Sequence, residues 1–323
     1  MYEVARLAGV APITVSRALN QPELVAAKTL EAVKNAVERT GYLPNLLAGG
    51  LASRKSRLVA AIVPTIGNSI FAEATESFSE RLNKAGYKML LGISNYSASK
   101  EEDLVTAVLS RRPDAIFLTG ITHSRNTRSR LLAAQVPVVE TWDYTSAPLD
   151  MLVGFSHEKL GQAVANYLYD KGYRRLGMVW ASDERARLRQ VAFLSTLAER
   201  GITDVQIASV EPPGTLKKGR DGIAEILDHR KPVEAVFCSS DILAHGVLTE
   251  AHARGISVPG QLAAIGFGDL EFAPHTFPAL STVHIDRSKI GHLAAEAVLA
   301  RLDGREHGRI FDVGFKIVER GST

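Results

Sequence analysis

Apolar positions along this 323-residue chain change their period several times, and each change marks an element. In residues 2–8, YEVARLA, Val4, Ala5, Leu7 and Ala8 fall on one helical stripe, and Gly9 follows where a tight turn wants an unhindered backbone. Pro12 suits the first position of a second helix, since its fixed φ fits there and its missing N–H would have no partner anyway. That helix turns Val15, Ala18 and Leu19 inward and leaves Thr14, Ser16, Arg17 and Asn20 pointing out. A third helical pattern, about Ala26 to Arg39, carries Leu30, Val33 and Val37 and ends at Gly41. Periodicity alone leaves two readings: a plain three-helix miniature core, or a helix-turn-helix sized for a DNA major groove.

From Leu58 onward apolar strands alternate with amphipathic helices. LVAAIVP (58–64) leads to a helix near Phe71–Ala85 and then to KMLLGIS (88–94). A helix near Glu101–Leu109 precedes DAIFLTG (114–120), and VPVVETW (136–142) follows. A second series begins after Phe155 with RRLGMVW (174–180), a helix near Arg187–Glu199, QIASV (206–210), EAVFCSS (234–240) and LAAIGF (262–267). Alternation of this kind makes parallel sheets covered on both faces. Two series give two doubly wound lobes, with the default ligand site between the C-terminal ends of their strands.

Charge sharpens the division. Up to Arg57 the bases are Arg6, Arg17, Lys28, Lys34, Arg39, Arg54, Lys55 and Arg57, against Glu3, Glu23, Glu31 and Glu38, a net +4. The whole chain carries +3, so the body is close to neutral at −1 and only the head invites a polyanion. No stretch approaches the ~18–20 apolar residues of a spanning helix. With no basic-then-apolar leader and a single cysteine, Cys238, in the apolar setting AVFCSSD, a cytoplasmic location is expected and Cys238 reads as a small buried hydrophobe. An enzyme is disfavoured: the sequence holds no GxxxxGK[ST], HExxH or GxSxG motif, and SASK (97–100) lacks the companion motifs that would give it meaning. The histidines show no metal-ligand spacing, so neither metal nor cofactor is expected.

The wording of the head decides between its two readings. YEVARLAGVAPITVSRALN, with GYLPN further on, closely resembles the headpiece of the LacI/GalR (lactose-repressor) family of bacterial transcription factors. The resemblance implies a helix-turn-helix headpiece (1–43), a hinge helix or linker (44–57) and a two-lobed periplasmic-binding-protein-like domain for effector binding and dimerisation (58–323). It implies base-reading roles for Pro12, Ile13 and Arg17, the last because a guanidinium can bond guanine O6 and N7 together. Thr14, Ser16 and Asn20 become phosphate contacts. Asn45, Leu51 and Ala52 in the hinge complete the set, with Leu51 as a minor-groove wedge. Ala11 departs from the family's usual Ser N-cap, a loss worth roughly 0.5–2 kcal/mol. The partners implied are a pseudo-palindromic operator, a second copy of the chain and a small-molecule effector. The helix 242–256 is a candidate dimer contact, with core packing as its alternative.

The body also resembles the family's effector domain, and it implies cleft positions. Phe71 is expected as an apolar wall, His123 at the cleft mouth, and Arg189 as a grip for ligand oxygens. Arg185 stands one helical turn earlier, and Phe237, Ser240 and Asp269 complete the set; Asp241 is read as a helix cap. Sugar-binding relatives place an Asp where this chain has Gly268. Losing that anion while adding Arg185 makes the cleft positive, which suits a carboxylate, bound bidentately by guanidinium groups. A sugar acid such as gluconate or a ketogluconate is the expected effector, in keeping with a resemblance to the gluconate-repressor branch. The alternatives are a neutral sugar or nucleobase, or a sugar-binding or processing protein whose first helices are only structural.

Overall fold

In the computed structural model the described residues are 1–42, 56–67, 69–181, 183–228 and 231–323, with the side chain of Asn20 left aside. They divide into two compact units, the first ending at Ser56 and the second running from Arg57 to Thr323. The linker residues Asn45, Leu51 and Ala52 lie outside the described residues.

The first unit holds α1 (Tyr2–Ala8), α2 (Pro12–Asn20) and α3 (Ala27–Thr40), with a single 3-10 turn, Pro22–Leu24, between the last two. Gly9 and Gly41 close α1 and α3 in left-handed conformation, at φ 66° and 60°, where a side chain would be strained. Val4, Ala5, Val15, Ala18, Val33 and Ala36 form the core, with Leu19, Leu30 and Val37 packed at its margin. Leu7 departs from expectation: it is exposed, because so small a core seals only one narrow stripe of α1.

The second unit is built from two parallel-dominated sheets. Its first lobe contains β1 (Leu58–Val63), α4 (Ser69–Lys84), β2 (Lys88–Ile93), α5 (Ala98–Leu109), β3 (Ala115–Thr119), α6 (Arg125–Ala134), β4 (Val138–Thr141) and β5 (Met151–Gly154). The second contains α7 (His157–Asp170), β6 (Leu176–Ala181), α8 (Glu184–Glu199), β7 (Gln206–Val210), α9 (Leu216–Asp228), β8 (Ala235–Cys238), α10 (Asp241–Ala253), β9 (Ala263–Gly268) and β10 (Ser281–His284). The chain then returns to the first lobe for α11 (Arg287–Leu302) and β11 (Ile310–Asp312), and ends in the second with β12 (Lys316–Val318). Strand order is β11-β5-β4-β3-β1-β2 in one sheet and β12-β10-β9-β8-β6-β7 in the other, with only β12 antiparallel. The lobes are thus interleaved in sequence, whereas the pattern of the sequence suggests two consecutive series. Each late strand fills an edge that its own lobe leaves open.

Close helix packing depends on missing side chains. A Cβ on Gly291 of α11 would lie 2.0 Å from the carbonyl oxygen of Ala74 in α4. One on Gly161 of α7 would lie 2.3 Å from that of Arg189 in α8. The helix 242–256, a candidate dimer contact by sequence, is mostly interior: Leu243, Ala244, Val247, Leu248 and Ala251 of α10 are buried in the second lobe's core. Cys238 is buried and unpaired there, and burial pushes its thiol pKa up. Gly291→Ala is expected to destabilise the second unit by about 1–3 kcal/mol through overpacking, read as a lower urea midpoint than that of the unaltered chain.

Candidate effector cleft and DNA-reading headpiece

The C-terminal ends of the strands of both lobes face a cavity of about 230 Å³, lined on one side by Thr65, Ile70, Phe71 and Trp142 and on the other by Arg185, Arg189, Ser239 and Phe267. Apolar rings supply its walls: Phe71 meets Trp142 edge-on at 5.2 Å. The α8 N-terminus supplies its charge. Asp183 caps that helix by accepting from the Ala186 N–H at 2.8 Å, which fixes where Arg185 and Arg189 emerge one turn apart.

Arg189 is 4% exposed. One amino group reaches Nδ1 of His157 at 3.1 Å, and the other donates to the Ser239 carbonyl at 3.2 Å. A guanidinium has no acceptor, so His157 must carry its proton on Nε2, which contacts the Trp142 carbonyl at 2.8 Å. Burial, then the charges of Arg189 and Arg185, hold the His157 pKa well below its ordinary value, so the ring is neutral. Burial also lowers Arg189, to about 10, leaving it charged at neutral pH. The Phe267 ring lies 4.1 Å from its central carbon, and its Nε has no hydrogen-bond partner among the described residues. A charge held so deeply without a bonded carboxylate is primed for an anion.

Arg185 spans the gap between the lobes. Its guanidinium stands 5.5 Å from the Phe71 ring centre and close to Gly120, both in the first lobe. Its ion pair with Asp183, at 3.9 Å, is too long for a hydrogen bond. Beyond Arg185 a second, more polar chamber of about 450 Å³ is lined by Ser94, Tyr96, Glu101, Thr119, Asp143 and Asp183 among others. Thr119 Oγ1 is buried there without a partner among the described residues. Burial raises the Asp143 pKa to about 6 against the opposing charges of Arg185 and Arg189, and it raises Tyr96 to about 12.

Of the cleft residues expected from sequence, Phe71, Arg185, Arg189 and Ser240 line the cavity, while His123, Phe237 and Asp269 lie elsewhere. The His123 ring is buried inside the first lobe, with Nδ1 2.7 Å from Glu101 and Nε2 3.3 Å from Glu140. Its pKa rises to about 9: burial opposes the charge, but the two carboxylates outweigh burial. Phe237 is fully buried against Trp180 and Phe193, because the β8 pleat turns it inward. Asp269 is held by Arg320 at 2.7 Å and His284 at 2.9 Å. The helix cap is Ser240 rather than Asp241; Asp241 is fully buried, accepting from the Leu270 N–H at 2.7 Å and from Thr282. His157, Trp142, Asp143 and Thr119 were not singled out from sequence, since nothing local distinguishes a cleft residue from any other residue at a strand or helix end.

On α2 of the headpiece, Ile13 is 69% exposed and Arg17 is exposed. Pro12, Thr14 and Ser16 are half-buried around them. Ala11 precedes the helix without a side-chain cap.

Two family descriptions match the chain: bacterial regulatory proteins of the lacI family over residues 1–45, and a periplasmic binding protein-like domain over residues 165–323. The HTH-type transcriptional regulator GntR of Pseudomonas aeruginosa is 37% identical over 100% of this chain and 95% of its own length. The chain belongs to the lacI family. As a LacI-family protein it is a sequence-specific DNA-binding regulator of transcription, not an enzyme. HTH-type regulator IdnR of Escherichia coli is 28% identical over 98% of this chain and 96% of its own length. A crystal structure of a LacI-family regulator from Silicibacter pomeroyi superposes with a TM-score of 0.93 at 32% identity, covering 99% of this chain and 98% of that one. The lac repressor dimer bound to operator shares the fold, with a TM-score of 0.85 at 21% identity over 99% of this chain and 98% of that one. Among the described residues no helix is long and apolar enough to cross a membrane.

The raised His123 pKa has a consequence for stability. A group protonated more readily when folded stabilises fully below its unfolded value near 6.5, and that contribution is lost as pH rises through 9. The ligand-free protein should therefore lose stability between pH 6.5 and 9, at up to about 1.4 kcal/mol per pH unit from this group. Urea titrations at pH 6, 7.5 and 9 test this, and His123→Gln should flatten the trend.

Proposed function

We propose that this LacI-family regulator is controlled by a sugar acid of the gluconate or ketogluconate kind, bound with its carboxylate on Arg185 and Arg189. The observation that carries the reading is Arg189 itself: a 4% exposed guanidinium on the cavity wall whose Nε has no partner among the described residues. A carboxylate satisfies both that donor and the neighbouring Arg185 with charge-assisted bonds. The other end of the ligand is matched too. Asp143, Asp183 and the Thr119 hydroxyl, which has no partner among the described residues, offer acceptors for a polyol chain in the adjoining chamber. At Gly268, where sugar-binding relatives are expected to carry an Asp, Ile70 closes the wall: a Cβ there would lie 3.3 Å from its Cδ1. A ligand anionic at one end and hydroxylated along the rest fits this polarity better than a neutral sugar or a nucleobase.

Contacts to both lobes make such a ligand a clamp. It favours the arrangement in which Arg185 approaches Phe71 and Gly120, and a ligand shifts an equilibrium only by its difference in affinity for the two states. β1 starts at the chain's exit toward the headpiece, so lobe movement and DNA affinity are linked through it. The working unit is a homodimer, each copy presenting α2 to half of a near-palindromic operator. Exposed apolar side chains suit a second copy: Leu91 and Ile93 on the edge strand β2, and Phe277, 91% exposed, in the second lobe.

Thermal-shift measurements with gluconate, 2-ketogluconate, idonate and glucose test the ligand class; stabilisation by glucose alone removes the sugar-acid reading. Arg185→Ala should weaken sugar-acid binding about 10- to 100-fold, the worth of a hydrogen bond to a charged group, while DNA binding without ligand stays unchanged. In a binding-site selection, Arg17→Ala should lose preference at one base pair per half-site, roughly 1–3 kcal/mol, and keep salt-sensitive non-specific binding. Retained preference at that pair takes the base-reading role away from Arg17.

A further inference from the structure

The strands of the first lobe's sheet run parallel, so the segments that precede them gather at one end, opposite the cleft. β1 begins there, directly after Arg57, so this is the end from which the chain leads to the headpiece. Around that exit stand Arg57, Lys84, Lys88, Arg111 and Arg112, all exposed. Backbone bonds lock their segments together: Lys88 N–H donates to Arg57 O at 2.8 Å, and Asp114 N–H to Leu58 O at 2.7 Å.

Where these bases form hydrogen bonds with their side chains, they do so to neutral groups. Arg111 donates to the Ala107 carbonyl at 2.7 Å, Lys88 to Asn83 Oδ1 at 2.9 Å, and Arg57 to the Ala85 carbonyl at 3.5 Å. Among the described residues none of the five closes an ion pair. The corresponding end of the second lobe is different. There Lys171 pairs with Glu319 at 2.5 Å, Arg175 with Glu234 at 2.6 Å, Lys231 with Asp204 at 2.6 Å and Arg254 with Asp228 at 2.7 Å. Five bases thus gather around the Arg57 exit, beside Asp114, which accepts the Arg57 backbone N–H at 2.7 Å, whereas the four bases named in the second lobe each face a carboxylate.

We propose that the end of the first lobe around Arg57 is a second DNA-contacting surface, holding backbone phosphates of the duplex that the headpiece reads. It rests on the chain's membership of a DNA-binding family and adds a contact made by the effector domain. Three neighbouring strands, β2, β1 and β3, underlie the patch and set it about 10 Å wide. A duplex presents a charge about every 1.7 Å along its axis, so a face of that width meets several phosphates at once. The contact carries no sequence information; it adds affinity, salt dependence and a need for duplex length.

The test uses the full chain and a 40-base-pair mixed-sequence duplex, titrated by fluorescence anisotropy from 50 to 200 mM KCl. Lys84→Glu/Arg111→Glu/Arg112→Glu should lower the slope of log affinity against log salt by about two to three, near 0.9 for each phosphate that is no longer neutralised. A control with the same change in net charge, Lys171→Glu/Arg175→Glu/Lys231→Glu, should leave the slope close to that of the unaltered chain. Unchanged melting temperature and binding-site preference in the first variant show that folding and the headpiece are intact. Equal slopes for the first variant and the unaltered chain, or equal decreases in both variants, overturn this inference alone. An unaltered chain that binds no duplex at any salt overturns the DNA-binding assignment and this inference with it.

Discussion

A guanidinium that sits in a protein interior with no bonded carboxylate has to be held by something else, and much of the cleft is organised around holding Arg189. Its partners are a neutral imidazole, a backbone carbonyl and the face of an aromatic ring, at 3.1, 3.2 and 4.1 Å. Each is weaker than a carboxylate, and together they hold the guanidinium without a hydrogen-bonded carboxylate among the described residues. The same arrangement joins the lobes. His157 belongs to the second lobe, yet its other nitrogen bonds the Trp142 carbonyl at the end of the first lobe's β4, so the side chain that orients Arg189 also ties down the crossing between lobes.

That crossing is built under constraint. Trp142 has φ 66°, in the left-handed region where a bulky residue is rare, and its ring is wedged between Phe71 and Phe155. The residue opposite has to be glycine: a Cβ on Gly154 would lie 2.0 Å from the carbonyl oxygen of Asp143. Strain of this kind persists where the surroundings over-determine it, and here it lies directly beneath the cleft. The wall of the cleft and the crossing between the lobes are therefore joined through a short run of packed groups.

The second unit separates its electrostatics by position. Around the cleft, Arg185 and Arg189 stand beside Asp143 and Asp183, giving a bipolar chamber. The outer end of the second lobe is neutralised pair by pair, whereas Arg57, Lys84, Lys88, Arg111 and Arg112 of the first lobe close no ion pair among the described residues. Screening over about 8–10 Å at physiological salt keeps these regions largely independent of one another.

Local patterns carried a good deal. Gly9, Pro12, Val15, Ala18 and Gly41 mark the headpiece helices through rules that act within a few residues, and the β-α alternation marks the strands from Leu58 to Gly268 apart from the short β5. The cleft was half legible. Phe71 and Arg189 were expected through the resemblance to the family's effector domain, and Arg185 from its place one helical turn before Arg189. The misplaced residues share a cause: whether a side chain at a strand end faces ligand or core depends on the pleat and on what packs across from it. His123 met Glu101 and Glu140, Asp269 met Arg320 and His284, and Phe237 met Trp180, each partner coming from a distant stretch of chain. The interleaving of the lobes was likewise settled by sheet edges that β11 and β12 return to fill. Sequence by itself determined what each segment could become, because propensity and periodicity are local. Only the tertiary structure decided which charges stay unpartnered, because that depends on groups brought together from far apart.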